Sequence, residues 1–206
     1  SKIIISSGAT AAFSLTDSMW LNFEDLVIEG SEGWEGRSFY GIYMNNVEDV
    51  SLSDITISNI GLDALVITGD SERVVVQDTQ ISNTANGSGI VVGCDDAACY
   101  VEDTDLRHNW IHGISGESQP AVHLHHGCQG VSINDSVIYN VESYGIWMGS
   151  SENGVQNGAD ANAIWNTGGT GIAIRGAAVV RNNVVFNTAD VGINTYNPDR
   201  NSYDTM

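Results

Sequence analysis

The sequence predicts an all-β solenoid, a single domain over residues 1–206 coiled into about eight turns of three short strands. Three observations carry this. Short apolar strand patterns of period two recur along the chain at intervals of 21–32 residues. No stretch with helical periodicity separates them. The composition sets 23 glycines against two prolines, with 42% hydrophobic residues, which suits many tight turns around a substantial core.

Two signatures alternate. The first is a short strand opened by a small residue. It reads AFSL at 12–15, GIYM at 41–44, ALVI at 64–67 and GIVV at 89–92. It continues as AVHL at 121–124, GIWM at 145–148, GIAI at 171–174 and GINT at 192–195. The second signature carries two strands with an Asp or Asn between them: LNFEDLVIEG at 21–30, VSLSDITISN at 50–59 and VVVQDTQISN at 74–83. It returns as CYVEDTDLRH at 99–108 and VSINDSVIYN at 131–140, with shorter copies ending in AIWN at 163–166 and VVFN at 184–187. One turn cannot bury its apolar face alone, so turns stacked at ~4.8 Å build a continuous core.

The corner between second and third strands is assigned to Asp25, Asp54, Asp78, Asp103, Asp135 and Asn182. A tight corner favours a residue that tolerates the left-handed region and bonds its own backbone. Stacked aspartates repel, so this ladder needs salt, cations or outward splaying. It is read as turn chemistry in preference to a row of calcium sites. Asn59, Asn83, Asn140, Asn166 and Asn187 close the third strand and are likewise read as turn residues.

The net charge is −19, from 26 acidic and 7 basic residues, and Lys2 is the only lysine. Nucleic acid is excluded as a partner, since it demands a basic footprint. An anionic membrane surface is disfavoured, and no apolar run approaches the ~18 residues that insertion requires. The acidity reads first as solubility and protection of strand edges, with a saline habitat or cation capture as the sharper alternative. The chain opens at Ser1 on an apolar strand without an initiator methionine. The expectation is a piece of a longer secreted chain, extracellular or at the cell surface. Cys94 and Cys99 flank an acidic DDAA corner and could pair across it. Cys128 makes the count odd, which leaves three pairings or a free thiol open.

The V-x-I-x-D-x-x-I-x-N repeats and GI-x-I strands cover nearly the whole chain. They resemble the right-handed, single-stranded parallel β-helix superfamily, the pectate-lyase-like proteins. That superfamily includes pectate and alginate lyases, polygalacturonases, epimerases, phage tailspikes and secreted bacterial proteins, which the later turns resemble most. The resemblance implies a substrate groove along the first sheet, made here by the GI-type strands. Alternation then directs Tyr43, Val66, Val91, His123, Trp147, Ala173 and Asn194 into the groove. A second column follows: Asn45, Thr68, Gly93, His125, Gly149, Arg175 and Tyr196.

Within these columns the stretch VHLHHG at 122–127 stands out, holding three of the five histidines. His123 and His125 are assigned as acid/base groups. Arg175 is assigned to clamp a uronate carboxylate or stabilise an enolate-like intermediate. Trp147 offers a flat face for sugar stacking, and Tyr43, Asn194 and Tyr196 complete the substrate contacts. His123, His125 and His126 lack an assured third ligand, so no metal site is assigned. The resemblance leaves calcium as a candidate cofactor, although the groove positions supply no carboxylates for it. Asp95 and Asp96 resemble the paired carboxylates of polygalacturonases but follow the groove strand instead of opening it, so that activity is not carried over. Two long loops are expected as groove walls. One, over 106–122, carries His108, His112, Glu117 and Gln119. The other, over 28–42, carries Glu32, Trp34, Glu35, Arg37 and Tyr40.

The expected partner is therefore a polysaccharide, and the leading function is a lyase or epimerase acting on an acidic glycan. One alternative is a non-catalytic carbohydrate-binding module. Another is a filament or surface-layer subunit, assembling head to tail through open β-helix ends.

Overall fold

The alternation of apolar and polar residues leaves each strand one apolar face, and the chain hides these faces by coiling them inward. The computed structural model describes residues 1–5, 9–31, 33–36, 38–94, 99–149 and 155–196. Every strand pairing within it is parallel and joins one turn to a neighbouring one. From Tyr40 to Thr188 the chain completes six turns of three faces, and further strands flank them at both ends. The expected coil of about eight turns is thus met to within a turn or two.

The first sheet begins with the leading halves of Ala11–Glu24 and Tyr40–Ser53. It continues through Leu65–Thr68, Ile90–Val92, Val122–Leu124, Ile146–Met148, Ile172–Arg175 and Ile193–Tyr196. The second follows from the trailing halves of those two long strands through Asp70–Gln77, Asp105–Arg107, Ser132–Asn134, Asn157–Asp160 and Ala178–Arg181. The third is eight-stranded, from Lys2–Ile5 to Val184–Thr188. Its register stacks Ile28, Ile57, Ile81, Ile111, Ile138 and Ile164 into one column, none more than 1% exposed. Each such isoleucine contributes about 1.5–3 kcal/mol relative to an exposed one.

The corners are left-handed, as the Asp and Asn positions require. Asp25, Asp54, Asp78, Asp135 and Asn182 have φ of 50–56°, and Asn59, Asn83, Asn140, Asn166 and Asn187 have φ of 52–59°. One assignment changes. Register pairs Trp110 with Gln80 and Val137, so His108, and not Asp103, stands in line with Asp78 and Asp135. Asp103 lies at the corner between first and second sheets, following Asp49 and Arg73. The reason is the short strand Tyr100–Glu102, which pairs with the leading part of Asp70–Gln77 and with Cys128–Gln129 at the same offset as Asp105–Arg107. It mimics the second-sheet pattern one step ahead of the true strand, Asp105–Arg107.

His108 interrupts the acidic ladder. Its ring nitrogens lie 3.7 Å from the Asp78 carboxylate and 3.9 Å from that of Asp135. At the adjacent corner Arg73 pairs with Glu48, Asp49 and Glu72, which holds the Asp49 carboxyl below the usual carboxylate range. Beneath the Asp ladder runs a buried polar one, where backbone amides that have left the sheet find side-chain acceptors. Asn109 Oδ1 accepts from the Thr79 amide at 3.1 Å, and Ser136 Oγ from the Asn109 amide at 3.1 Å. Asn162 Oδ1 accepts from the Ser136 amide at 3.0 Å, and Asn183 Oδ1 from the Asn162 amide at 2.9 Å.

The outer face of the third sheet carries stacked rings. His112, Tyr139, Trp165 and Phe186 follow one another at centroid separations of 4.9, 4.8 and 5.7 Å, with interplanar angles of 15°, 4° and 6°. Face-on stacking covers the flat surfaces, so this ladder stiffens the sheet and offers mainly ring edges to solvent. Partial removal from water lowers the His112 pKa.

Two expectations follow from these side-chain columns. Arg73→Ala leaves three carboxylates stacked without their counter-charge. The thermal midpoint should fall at low ionic strength and largely recover in about 1 M salt, where screening acts within ~3 Å; an equal loss at both salt concentrations would contradict the electrostatic account. For His112 the unfolded chain takes up the proton more readily than the folded one. Its contribution is intact above the ordinary imidazole value of ~6.5 and is lost as pH falls through its lower folded value. His112→Tyr keeps the stack without that titration, so its melting temperature should gain on the wild type between pH 7 and 5. A pH-independent difference would refute the shift.

Candidate functional site

The strands of the first sheet enter through residues too small to obstruct the preceding corner. A Cβ on Gly145 would fall 2.6 Å from both Ile164 Cγ2 and the Gly171 carbonyl oxygen, so only glycine brings the Trp147 strand to its place. Register then aligns the outward column as Tyr43, Val66, Val91, His123, Trp147, Ala173 and Asn194. In the second column Gly93, His125 and Gly149 follow one another through backbone bonds to Ile67, Val92 and Leu124, and Arg175 pairs with Tyr196.

Most of the early positions close over. Val66 and Val91 are 6% and 8% exposed. Tyr43 stands before them, 5.4 Å from the Tyr40 ring, three rungs from His123. From His123 onward the surface opens and becomes aromatic. The His123 and His125 rings lie 3.8 Å apart, and His123 meets Trp147 edge-on at 6.5 Å. Trp147 leans across the buried Ala173 to reach Tyr196 at 5.7 Å. Tyr144 abuts Trp147 edge-on at 4.9 Å. Tyr144 escaped the sequence reading, although an aromatic placed directly before the conserved-in-repeat Gly145 position was its signal.

Gly149 separates His125 from Arg175. A Cβ there would lie 2.8 Å from the Leu124 carbonyl oxygen, so the packed backbone leaves no room for a side chain at this rung. His125 and Arg175 consequently stand about 10 Å apart, two rungs of ~4.8 Å, with the buried Gly149 between them. Arg175 is exposed and forms no ion pair among the described residues. Asn194 and Tyr196 are half-buried at the far end. The site thus joins imidazoles, a flat indole, a phenol and an unneutralised guanidinium on one face.

The two expected groove loops are shorter than the sequence suggested. Residues 106–122 contain the end of Asp105–Arg107 and all of Trp110–Ile114, so His108 and His112 sit at a corner and on the third sheet. Glu117 is exposed, while Gln119 is half-buried and accepts from Ser88 Oγ at 3.4 Å. Over 28–42, Phe39 joins the core and Trp34–Gly36 forms one 3-10 turn; Glu32 and Arg37 lie outside the described residues, as do Asp95 and Asp96.

Cys94 and Cys99 form a disulfide with a Cα separation of 5.8 Å. Cys128 is the free cysteine; burial pushes its thiol up to about 12, and it donates to the Val92 carbonyl at 3.2 Å. It is therefore inert as a nucleophile at neutral pH. The described residues hold one carboxylate cluster, Glu72, Glu102 and Asp103, with oxygens within 4.8 Å of one another. Glu72 is already paired with Arg73, which competes with any cation for that carboxylate. The cluster lies off the groove columns, so it supplies no cation site to the groove.

The family described as "Right handed beta helix region" matches residues 1–160 and again 40–203, and the chain belongs to it. An alginate lyase from Paenibacillus sp. strain FPU-7 shares the fold with a TM-score of 0.63 at 16% identity, covering 92% of this chain and 78% of the lyase. The Dettilon tailspike protein does so with a TM-score of 0.59 at 15% identity, covering 86% of this chain but only 41% of its own. No curated protein sequence matches.

Proposed function

We propose that the protein engages an acidic polysaccharide along the first-sheet groove and acts on it as a lyase or epimerase. The observation that carries this is the patch His123, His125, Trp147 and Tyr196, with Arg175 in register beside Tyr196. The fold shared with an alginate lyase supports a carbohydrate role. A glycan of this kind and the Cys94–Cys99 disulfide both favour an extracellular or cell-surface setting.

The chemistry follows from the residue types. Trp147 holds a sugar ring by its apolar face. Arg175 neutralises the uronate carboxylate, which makes the adjacent carbon acidic. An imidazole of the His123–His125 pair removes that carbon's proton, and the electron pair moves into the carboxylate as an enolate. Elimination then breaks the bond to the glycosidic oxygen, which takes a proton from an acid on the groove such as the Tyr196 phenol. Reprotonation from the opposite face gives epimerisation instead. With a net charge of −19, approach of a polyanion is favoured by salt that screens the protein's overall negative charge.

Trp147→Ala should lower retention on uronate polymers about tenfold, the scale of one lost aromatic contact. His123→Ala and His125→Ala should retain the glycan and lose product, read as new absorbance from unsaturated uronate or as inverted sugar configuration. Unchanged retention after Trp147→Ala would remove the site. Retention without any product from the folded wild type would leave a binding module and remove the catalytic part.

A further inference from the structure

The third strands end in a ladder of asparagines whose amides bond from turn to turn. Asn83 Nδ2 donates to Asn59 Oδ1 at 3.2 Å, Asn166 Nδ2 to Asn140 Oδ1 at 3.0 Å, and Asn187 Nδ2 to Asn166 Oδ1. The run is broken once. Between Asn83 and Asn140 the register places Gly113, with φ of 68° like its asparagine neighbours but no amide. Asn83 Oδ1 leans into the gap, 2.7 Å from where a Gly113 Cβ would be. Asn140 uses its carbonyl oxygen toward Asn166, and its Nδ2 has no partner among the described residues. The notch is therefore flanked by an acceptor on one side and a donor on the other, the two ends that one inserted amide would satisfy.

The notch opens into a cleft of about 580 Å³, room for a sugar ring. Trp34 forms one wall, and Asn86 Nδ2 holds its 3-10 turn in place through the Glu35 carbonyl at 3.2 Å. Glu35 and Glu142 line the cleft. Carboxylates there accept hydroxyl protons and repel a uronate, and an indole wall suits the apolar face of a pyranose.

We infer that this cleft binds a neutral sugar bearing an acetamido group. The acetamido N–H and C=O point in opposite directions, so the group replaces the missing rung: its N–H donates to Asn83 Oδ1, and its carbonyl accepts from Asn140 Nδ2. The site is separate from the first-sheet groove and does not depend on its function.

The test is chemical-shift titration of the full chain with N-acetylglucosamine, glucose and glucuronate. N-acetylglucosamine alone should move the Gly113, Asn83 and Asn140 signals. Gly113→Asn completes the ladder with a residue that tolerates the same φ. It should weaken binding at least about tenfold, the scale of two lost hydrogen bonds, without lowering the thermal midpoint. Equal perturbation by glucose, or affinity within twofold of wild type in Gly113→Asn, would overturn the inference. Should that variant fail to fold, Asn140→Asp replaces the donor with a charged acceptor; it must weaken binding severalfold, the scale of one lost hydrogen bond, and an unchanged affinity would count against the site. Trp147→Ala should bind N-acetylglucosamine as the wild type does, which separates this result from that of the groove.

Discussion

Each residue in this protein has as its nearest long-range neighbour its own counterpart one turn away, at the fixed spacing of parallel strands, ~4.8 Å. Everything else follows from that constraint. Like is placed on like, so any residue type that gains from self-contact is amplified along the coil, and any that repels itself is penalised at every turn. The isoleucine column of the third sheet is the favourable case, and its members are almost wholly buried. The asparagine ladder is the polar equivalent, its amides donating to those one turn before on either side of the break at Gly113.

Acidic columns are the unfavourable case, and the corners show how they are tolerated. Arg73 stands among Glu48, Asp49 and Glu72, and His108 sits between Asp78 and Asp135. Farther along, Arg181 and Asn182 both donate to Asp160, at 2.8 and 2.9 Å, and lower its carboxyl pKa. A chain with seven basic residues in all thus spends several of them inside its own acidic ladders, which leaves Arg175 distinctive on the groove.

The same constraint explains why departures from the repeat mark the candidate sites. His123 and His125 replace valine, glycine and threonine in the earlier rungs of their columns, and Gly149 and Gly113 each remove a side chain where neighbouring rungs have one. Substituting a different residue into a ladder either exposes chemistry or opens space. The groove patch does the first around His123, His125 and Trp147. The Asn cleft does the second alone.

The solenoid, the facing of the strands and the corner conformations were determined by the sequence itself. Period-two alternation and left-handed Asp or Asn positions are local properties, and they were enough to align the whole outward column from Tyr43 to Asn194. The tertiary structure decided what depends on insertions and on side-chain lean. The short strand at Tyr100–Glu102 carries the same local pattern as the second-sheet strand after it, yet His108, not Asp103, stands in the acidic ladder; only pairing with the turns on either side distinguishes the two. Trp147 reaches Tyr196 across Ala173, and Tyr144 closes against it, because side chains tilt between rungs. Cys94 joined Cys99 and left Cys128 buried because Cys128 lies inward, in the core. Period and turn chemistry are written along the chain, whereas these contacts arise between turns, where spatial proximity replaces sequence order.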